Sequence, residues 1–135
     1  MKYRMIAAIV ATMLAGAVQA QTYICIVKPD GHDTGWISKT IAISIDAKTN
    51  EVLVNDEVIL YFNKKPVQGH LSTTTEKRLT VTWEVRKAKD DNNTNIARFM
   101  YRATIYKLTN KIIVSARPGG YDNSFGGSGK CQIRK

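Results

Sequence analysis

The nine residues Arg78-Leu79-Thr80-Val81-Thr82-Trp83-Glu84-Val85-Arg86 alternate strictly between polar and apolar side chains. A period of two is typical of a β-strand with one dry face and one wet face. Residues 96–107 repeat the pattern, with Phe99, Tyr101, Ala103 and Ile105 opposite Arg98, Met100, Arg102, Thr104 and Tyr106. The stretch Asp90-Asp91-Asn92-Asn93 lies between the two segments and favours a turn. The two segments are therefore predicted to pair as a hairpin, with Trp83 in the core.

The rest of the chain is also predicted to form short strands. Their ranges are 23–27, 37–45, 52–54, 58–62, 112–116 and 130–134, which brings the count to about eight. Trp36 precedes the second of them and shares its parity with Ser38 and Thr40, so it is expected to be partly exposed. Asn- and Asp-rich turns separate most of these segments, and short connections imply antiparallel neighbours.

An antiparallel sheet of eight strands must bury its apolar face and protect its edges. We therefore expect an all-β fold closed as a small up-and-down barrel of lipocalin-like shape. A two-sheet β-sandwich is the alternative that the same pattern allows. The 135 residues correspond to about one domain, and this length excludes a large multidomain enzyme.

The first twenty residues have the character of a signal peptide. Lys2 and Arg4 form a basic start, residues 5–17 are apolar or small, and Val18-Gln19-Ala20 fits a cleavage site. We expect cleavage after Ala20, a single domain over residues 21–135, no transmembrane segment after cleavage, and a periplasmic or secreted protein.

In an exported protein the two cysteines are expected to form a disulfide, because an oxidising compartment favours disulfides. Cys25 and Cys131 allow only one intramolecular pairing, which would tie the first strand to the last. No Cys-x-x-Cys redox motif is present, and a zinc site would need more ligands.

The chain is basic, with 20 Lys and Arg residues against 11 Asp and Glu residues and a net charge of +9. Loss of Lys2 and Arg4 with the leader would lower that charge to +7. Within the predicted hairpin, Arg78, Arg86, Arg98 and Arg102 share the outward face, where Glu84 could pair with Arg98. This face is either a solvated surface or a site for an anionic partner. Nucleic acid is not the expected partner, because Tyr106 is the one aromatic residue among these cations.

Residues 117–129 form a second candidate site. This stretch holds Arg117, Tyr121, Phe125 and five of the nine glycines, and it is expected to be a loop. Tyr121 and Phe125 could contact a ligand, or the loop could close one end of the barrel with its aromatic rings.

Motifs for catalysis are weak. His32 lies in a polar turn, His70 has no nucleophile at a recognisable spacing, and the segment Ser128-Gly129-Lys130 departs from a phosphate-binding loop. We therefore predict no catalytic residue, no metal and no cofactor. The alternatives are a small periplasmic hydrolase, and a structural envelope protein or inhibitor without a small ligand.

Several short motifs resemble those of small exported proteins of proteobacteria: Tyr23-x-Cys25, Gly35-Trp36, Thr82-Trp83-Glu84-Val85, and residues 120–131. This resemblance implies export and no particular activity. In shape alone, the expected barrel is also similar to periplasmic lysozyme inhibitors. Their Ser-Gly-x-x-Tyr signature is absent, since Gly127-Ser128-Gly129 lacks the tyrosine, and a net charge of +7 would repel a cationic lysozyme. The sequence as a whole predicts a binding barrel for an anionic envelope component or an acidic protein.

Overall fold

Eight antiparallel strands form a closed barrel in the computed structural model, which describes residues 20–32, 34–89, 92–93 and 95–134. The strands are β1 (Gln21–Pro29), β2 (Thr40–Ile45), β3 (Val52–Asp56), β4 (Val67–Thr74), β5 (Arg78–Lys89), β6 (Asn95–Tyr106), β7 (Lys111–Pro118) and β8 (Phe125–Arg134). One helix, α1 (Glu57–Asn63), connects β3 to β4. The predicted signal peptide lies outside the described residues except for Ala20.

Barrel closure follows the up-and-down order that the sequence predicts. Each strand pairs with its neighbour in the chain, and β8 returns to pair with β1. Cys25 and Cys131 lie directly opposite each other on these two strands and form the predicted disulfide. The closed barrel, and not the two-sheet sandwich, is therefore the architecture of this chain.

The hairpin of β5 and β6 has the face assignment that the alternating pattern predicts. Trp83 is opposite Tyr101 and Val85 is opposite Phe99, and all four side chains are buried in the barrel. The indole of Trp83 stacks on the ring of Tyr101 with centroids 5.3 Å apart. Trp36 is half-buried, as expected, and stacks on Phe99 with centroids 4.4 Å apart.

The prediction of a strand at residues 58–62 is wrong, because this segment is helix α1. Asp56 caps its start, with Oδ1 accepting a hydrogen bond of 2.8 Å from the Ile59 N–H. Lys64 ends it in the left-handed conformation, with φ of 65°. The helix buries Val58 and Ile59 against the end of the barrel, so tertiary packing overrides the β preference of the apolar and β-branched residues.

Strand β4 is missing from the sequence prediction. Its half-buried residues are Val67, Gly69, Leu71 and Thr73, and two of these residues are too small or too polar to mark a core strand. The predicted number of strands is correct because this omission offsets the strand wrongly expected at residues 58–62.

The glycine-rich stretch is mainly strand, which corrects the prediction of a long loop at residues 117–129. Strand β7 continues to Pro118 and β8 begins at Phe125, so the loop covers only residues 119–124. An added Cβ at Gly129 would clash with the main chain of Ile26 on β1. Glycine at this position therefore allows β1 and β8 to approach each other closely, and it does not belong to a loop.

Alternate strands run in opposite directions, so the β1–β2, β3–β4, β5–β6 and β7–β8 connections lie at the same end of the barrel; they include residues 30–39, helix α1 and the β7–β8 loop. Strand β2 begins at Thr40, later than predicted, and Ile37 and Ser38 are buried in the preceding connection. We call this the helix end of the barrel, and the end with the short turns the turn end. Within the described part of the chain, no helix is long and apolar enough to cross a membrane.

A cationic groove on the outer face of the barrel

An open groove of about 1640 Å³ runs over the outer face of strands β4 to β7 near the helix end. The connection between α1 and β4 bounds one side, and Ser124 of the β7–β8 loop bounds the other. We call it the cationic groove, because its described lining contains five cations and one carboxylate: Lys64, Lys65, Arg86, Arg102, Arg117 and Glu84.

Strand register explains why these side chains converge. Thr82 on β5 is opposite Arg102 on β6, and Arg102 is opposite Ser115 on β7. These residues have the parity opposite to the buried ones, so their side chains leave the barrel on the same face. Two residues nearer the helix end on β6, Met100 is opposite Arg117 on β7.

Glu84 contacts two of the arginines that the sequence placed on this face. Arg86 and Arg98 are directly opposite each other, where like charges repel. One carboxylate oxygen of Glu84 lies 3.4 Å from Arg86 Nη2, and the other lies 3.4 Å from Arg98 Nη1. The predicted Glu84–Arg98 pair is therefore present. The two arginine side chains are 74% and 55% exposed, so these pairs contribute little to stability.

Arg102 and Arg117 are also exposed, and neither guanidinium forms an ion pair among the described residues. Arg117 belongs to the end of β7 and not to a loop. These two arginines are therefore the groove cations most readily available to an external anion. A guanidinium can bind a phosphate or carboxylate through two parallel hydrogen bonds.

Arg78 lies apart from this groove, which corrects the expectation of one continuous basic face. It is opposite Tyr106 at the turn end of the hairpin. It lines a separate depression of about 660 Å³ with Glu76 and Lys77. Eight residues separate it from Arg86, or about 26 Å along a strand. Arg98 does not line the groove itself, but it contacts Glu84, which does.

The two aromatic residues of the glycine-rich stretch have different positions. Tyr121 is 52% exposed in the β7–β8 loop. Phe125 is half-buried at the start of β8, and its ring centroid lies 6.0 Å from that of Phe99. Of the two roles considered for these rings, Phe125 fits that of closing the barrel end.

Sequence reasoning missed the side of the groove formed by β4 and the connection before it. The alternating pattern does not mark Lys64, Lys65, Gln68 or His70 as part of the basic face, yet all four line the groove. No local motif marks them, because they reach the arginines only through the pairing of His70 on β4 with Thr82 on β5.

Beneath the groove, β4 and β5 stop pairing with each other, and we call this unpaired stretch the gap. The pairing of these strands ends at His70 and Thr82, and no pair joins Val67 or Gln68 to β5. Farther toward the helix end, Asn63 Nδ2 donates a hydrogen bond of 2.9 Å to the main-chain carbonyl of Arg86. This bond closes the gap on the helix side, so the gap has defined limits at both ends.

Apolar residues line the gap. Phe62 and Val67 are half-buried, pack against the core and line the groove together with Trp83. The indole N–H of Trp83 is buried and donates to no acceptor among the described residues. The groove therefore combines an apolar floor at the gap with cations along its rim.

A buried polar cluster beneath α1 is the other concentration of polar groups. Burial raises the pKa of Asp56. This effect outweighs hydrogen bonds from the N–H groups of Ile59 and Val58 and from the Ser38 hydroxyl, which lower the pKa. Burial, reinforced by the nearby Asp56, also raises the pKa of Tyr101. The Tyr101 hydroxyl therefore stays protonated at neutral pH. It donates a hydrogen bond of 2.8 Å to the Trp36 carbonyl.

Each group of this cluster fixes a connection at the helix end. Asp56 caps the helix, Ser38 Oγ accepts a hydrogen bond from Val58 N–H, and Tyr101 anchors the chain at Trp36. No group of three His, Cys, Asp or Glu residues in the described chain could hold a metal ion.

The fold and the groove together define a small disulfide-closed antiparallel barrel with a cationic outer surface at one end. Comparison with family models, with curated proteins and with solved structures finds no match to this chain.

Proposed function

We propose that this chain is an exported, non-enzymatic binding barrel that takes an anionic component of the cell envelope in the cationic groove. The observation that carries this proposal is the lining of the groove, with five cations against one carboxylate. Glu84 is already engaged by Arg86 and Arg98, so the charge of Arg102 and Arg117 is left for the ligand.

The net charge supports the same class of ligand. A chain with +9, or +7 after loss of the leader, attracts anions from a distance and raises the rate of encounter. Guanidinium groups then give the contact its geometry, because they pair with phosphate or carboxylate oxygens through two hydrogen bonds. We therefore expect phosphate or carboxylate groups in the ligand.

Export is supported by two features. The first twenty residues have the composition of a signal peptide. The disulfide between Cys25 and Cys131 is typical of an oxidising compartment such as the periplasm or the exterior of the cell. An envelope component is the anionic material that a protein in either place would meet.

A binding role, rather than catalysis, is supported by the buried polar cluster. The side chains of Ser38, Asp56 and Tyr101 are engaged with the main chain of α1 and of the connection before β2. These contacts are structural, so the cluster offers the groove neither a nucleophile nor a general base.

The test measures binding of the purified protein to immobilised lipopolysaccharide, a phosphate-bearing envelope component. Arg102→Gln/Arg117→Gln is compared with Arg78→Gln/Arg134→Gln, which removes two exposed arginines from the turn end. We expect the groove variant to bind at least about tenfold more weakly, because hydrogen bonds between charged groups are the strong ones. The control variant should bind nearly as tightly as the wild type.

Salt provides a second measurement on the same samples. Between about 0.01 M and about 1 M salt the Debye length falls from about 30 Å to about 3 Å. Binding through exposed guanidinium groups should weaken steeply over this range. A groove variant that unfolds at the same denaturant concentration as the wild type, and binds as well, would overturn the proposal.

A further inference from the structure

We infer that the groove binds a single-chain amphiphile, with its anionic head on the rim cations and its apolar chain in the gap between β4 and β5. This inference rests on the proposed function and names the class of ligand. It depends on the gap, the apolar lining of the gap, and the position of the cations around it.

The gap is a limited opening rather than a frayed sheet edge. It begins above the pair His70–Thr82 and ends where Asn63 bonds to the carbonyl of Arg86. From Thr82 to Arg86 is four residues, or about 13 Å of strand. This length equals that of a linear chain of about ten methylene groups at roughly the rise of an extended chain.

The lining of the gap suits hydrocarbon. Phe62 and Val67 are half-buried at the groove, with Trp83 behind them. A chain entering here would remove apolar surface from water on both sides. Each methylene that becomes fully buried should raise the affinity roughly fourfold.

Cations lie on both sides of this opening. Lys64 and Lys65 follow α1 on the β4 side, and Arg86 is on the β5 side. Arg102 and Arg117 continue the positive charge across β6 and β7. A phosphate or carboxylate head would meet charge at the rim, while a neutral head would gain nothing from it. An apolar opening with a cationic rim therefore matches an anionic amphiphile better than a wholly polar polymer.

The experiment is a calorimetric titration of the full protein with butyl phosphate and dodecyl phosphate, below the concentration at which micelles form. Inorganic phosphate and neutral dodecyl maltoside are the reference probes. We expect dodecyl phosphate to bind at least about tenfold more tightly than butyl phosphate, because its longer chain buries more methylenes. Dodecyl maltoside should bind weakly. Dodecanoate, compared with dodecyl phosphate, distinguishes a carboxylate from a phosphate head.

Two variants test separately the contacts of the alkyl chain and those of the anionic head. Val67→Asn should weaken the binding of dodecyl phosphate far more than that of butyl phosphate, and so remove most of the difference between them. Ile113→Asn is the matched control, since Ile113 is 43% exposed on the outer face of β7 and does not line the groove. Arg102→Gln/Arg117→Gln should weaken the binding of both alkyl phosphates.

In Trp36→Phe, Trp83 is the one tryptophan left, and its fluorescence emission should shift on addition of dodecyl phosphate.

The chain-length comparison uses the wild type and remains decisive even if Val67→Asn does not fold. Equal affinities for the two alkyl phosphates, with the arginine effect intact, would overturn this inference and leave the proposed function standing. No binding of any anionic probe, including lipopolysaccharide, would overturn both. Binding to phosphatidylglycerol vesicles without binding of monomeric dodecyl phosphate would replace the amphiphile with a membrane surface.

Discussion

The hydroxyl of Tyr101 on β6 donates a hydrogen bond of 2.8 Å to the main-chain carbonyl of Trp36, 65 residues earlier in the chain. This contact ties the connection between β1 and β2 to the wall of the barrel at the helix end. It also positions Trp36 for its stacking on Phe99. One tyrosine thus fixes a long connection that has little regular structure of its own.

The first prediction concerns this bond. Tyr101→Phe should lower the free energy of unfolding by about 1–2 kcal/mol, because the Trp36 carbonyl loses its partner in a half-buried site. Urea denaturation followed by far-UV circular dichroism measures the change. Tyr106→Phe is the control, since no hydrogen bond of that phenol is formed among the described residues. Equal stability of the two variants would contradict the anchoring role.

The fold could be predicted from the sequence most directly where one face of a strand is fully apolar. The alternation in β5 and β6 identified both strands and the burial of Trp83. In β4, Gly69 and Thr73 are among the half-buried residues, so the periodic signal is too weak to recognise. Helix α1 has β-branched and aromatic residues, and only its cap at Asp56 distinguishes it from a strand.

The candidate site was harder to predict than the fold, because it depends on which strands are neighbours. The exposure of Arg86, Arg98 and Arg102 follows from the alternating pattern. The addition of Lys64 and Lys65 depends on the route of the chain from α1 into β4, which no local motif encodes. The gap between β4 and β5 is set by where their pairing ends, and only the three-dimensional structure determines this.

The second prediction concerns the disulfide. Cys25 and Cys131 close a loop with a sequence separation of 106 residues. Cys25→Ala/Cys131→Ala should lower the free energy of unfolding by up to about 4–5 kcal/mol, chiefly because the unfolded chain gains entropy. Thermal or urea unfolding of the variant against the wild type measures the loss. Thiol titration of the denatured, unreduced wild type should find no free thiol, and two free thiols would contradict the bond.

The third prediction is a pH dependence. Burial holds the pKa of Asp56 above its usual value of 3.8, so the folded state binds this proton more tightly than the unfolded state. The resulting stabilisation is complete below the unfolded pKa and is lost as the pH rises through the folded pKa. Asp56→Asn retains an acceptor for the helix cap but does not titrate. Its stability relative to the wild type should therefore increase as the pH rises above about 4.

The measurement for Asp56 is urea denaturation of both proteins at several pH values from acid to neutral. Asp46→Asn is the control, because Asp46 caps the turn between β2 and β3 by accepting from Lys48 and Thr49 N–H groups away from the core. Asp56→Ala should cost about 1 kcal/mol, since it loses the cap itself. A wild type that gains stability over Asp56→Asn as the pH rises would show that ionised Asp56 is favoured by folding.

The fourth prediction concerns the two tryptophans. Trp83 is 3% exposed, and Trp83→Ala should lower the free energy of unfolding by about 3–5 kcal/mol, as large core truncations do. Trp36 is half-buried and should be the more accessible of the two to acrylamide. Quenching in Trp36→Phe and Trp83→Phe, each with one tryptophan left, compares them directly. Equal quenching would contradict the burial difference.

The last prediction tests why β8 is rich in glycine. An added Cβ at Gly127 would lie 2.9 Å from Val27 Cγ1 and 3.0 Å from the main-chain oxygen of Lys28, so Gly127→Ala forces two strands apart. Overpacking of this kind costs about 1–3 kcal/mol. Gly126→Ala is the matched control, because its Cβ would meet first the Asp30 carboxylate, at 3.1 Å, and that flexible side chain can move. In thermal unfolding, Gly127→Ala should have a lower melting temperature than Gly126→Ala. If Gly126→Ala is the less stable variant, these glycines are needed for backbone conformation and not for the close approach of β1.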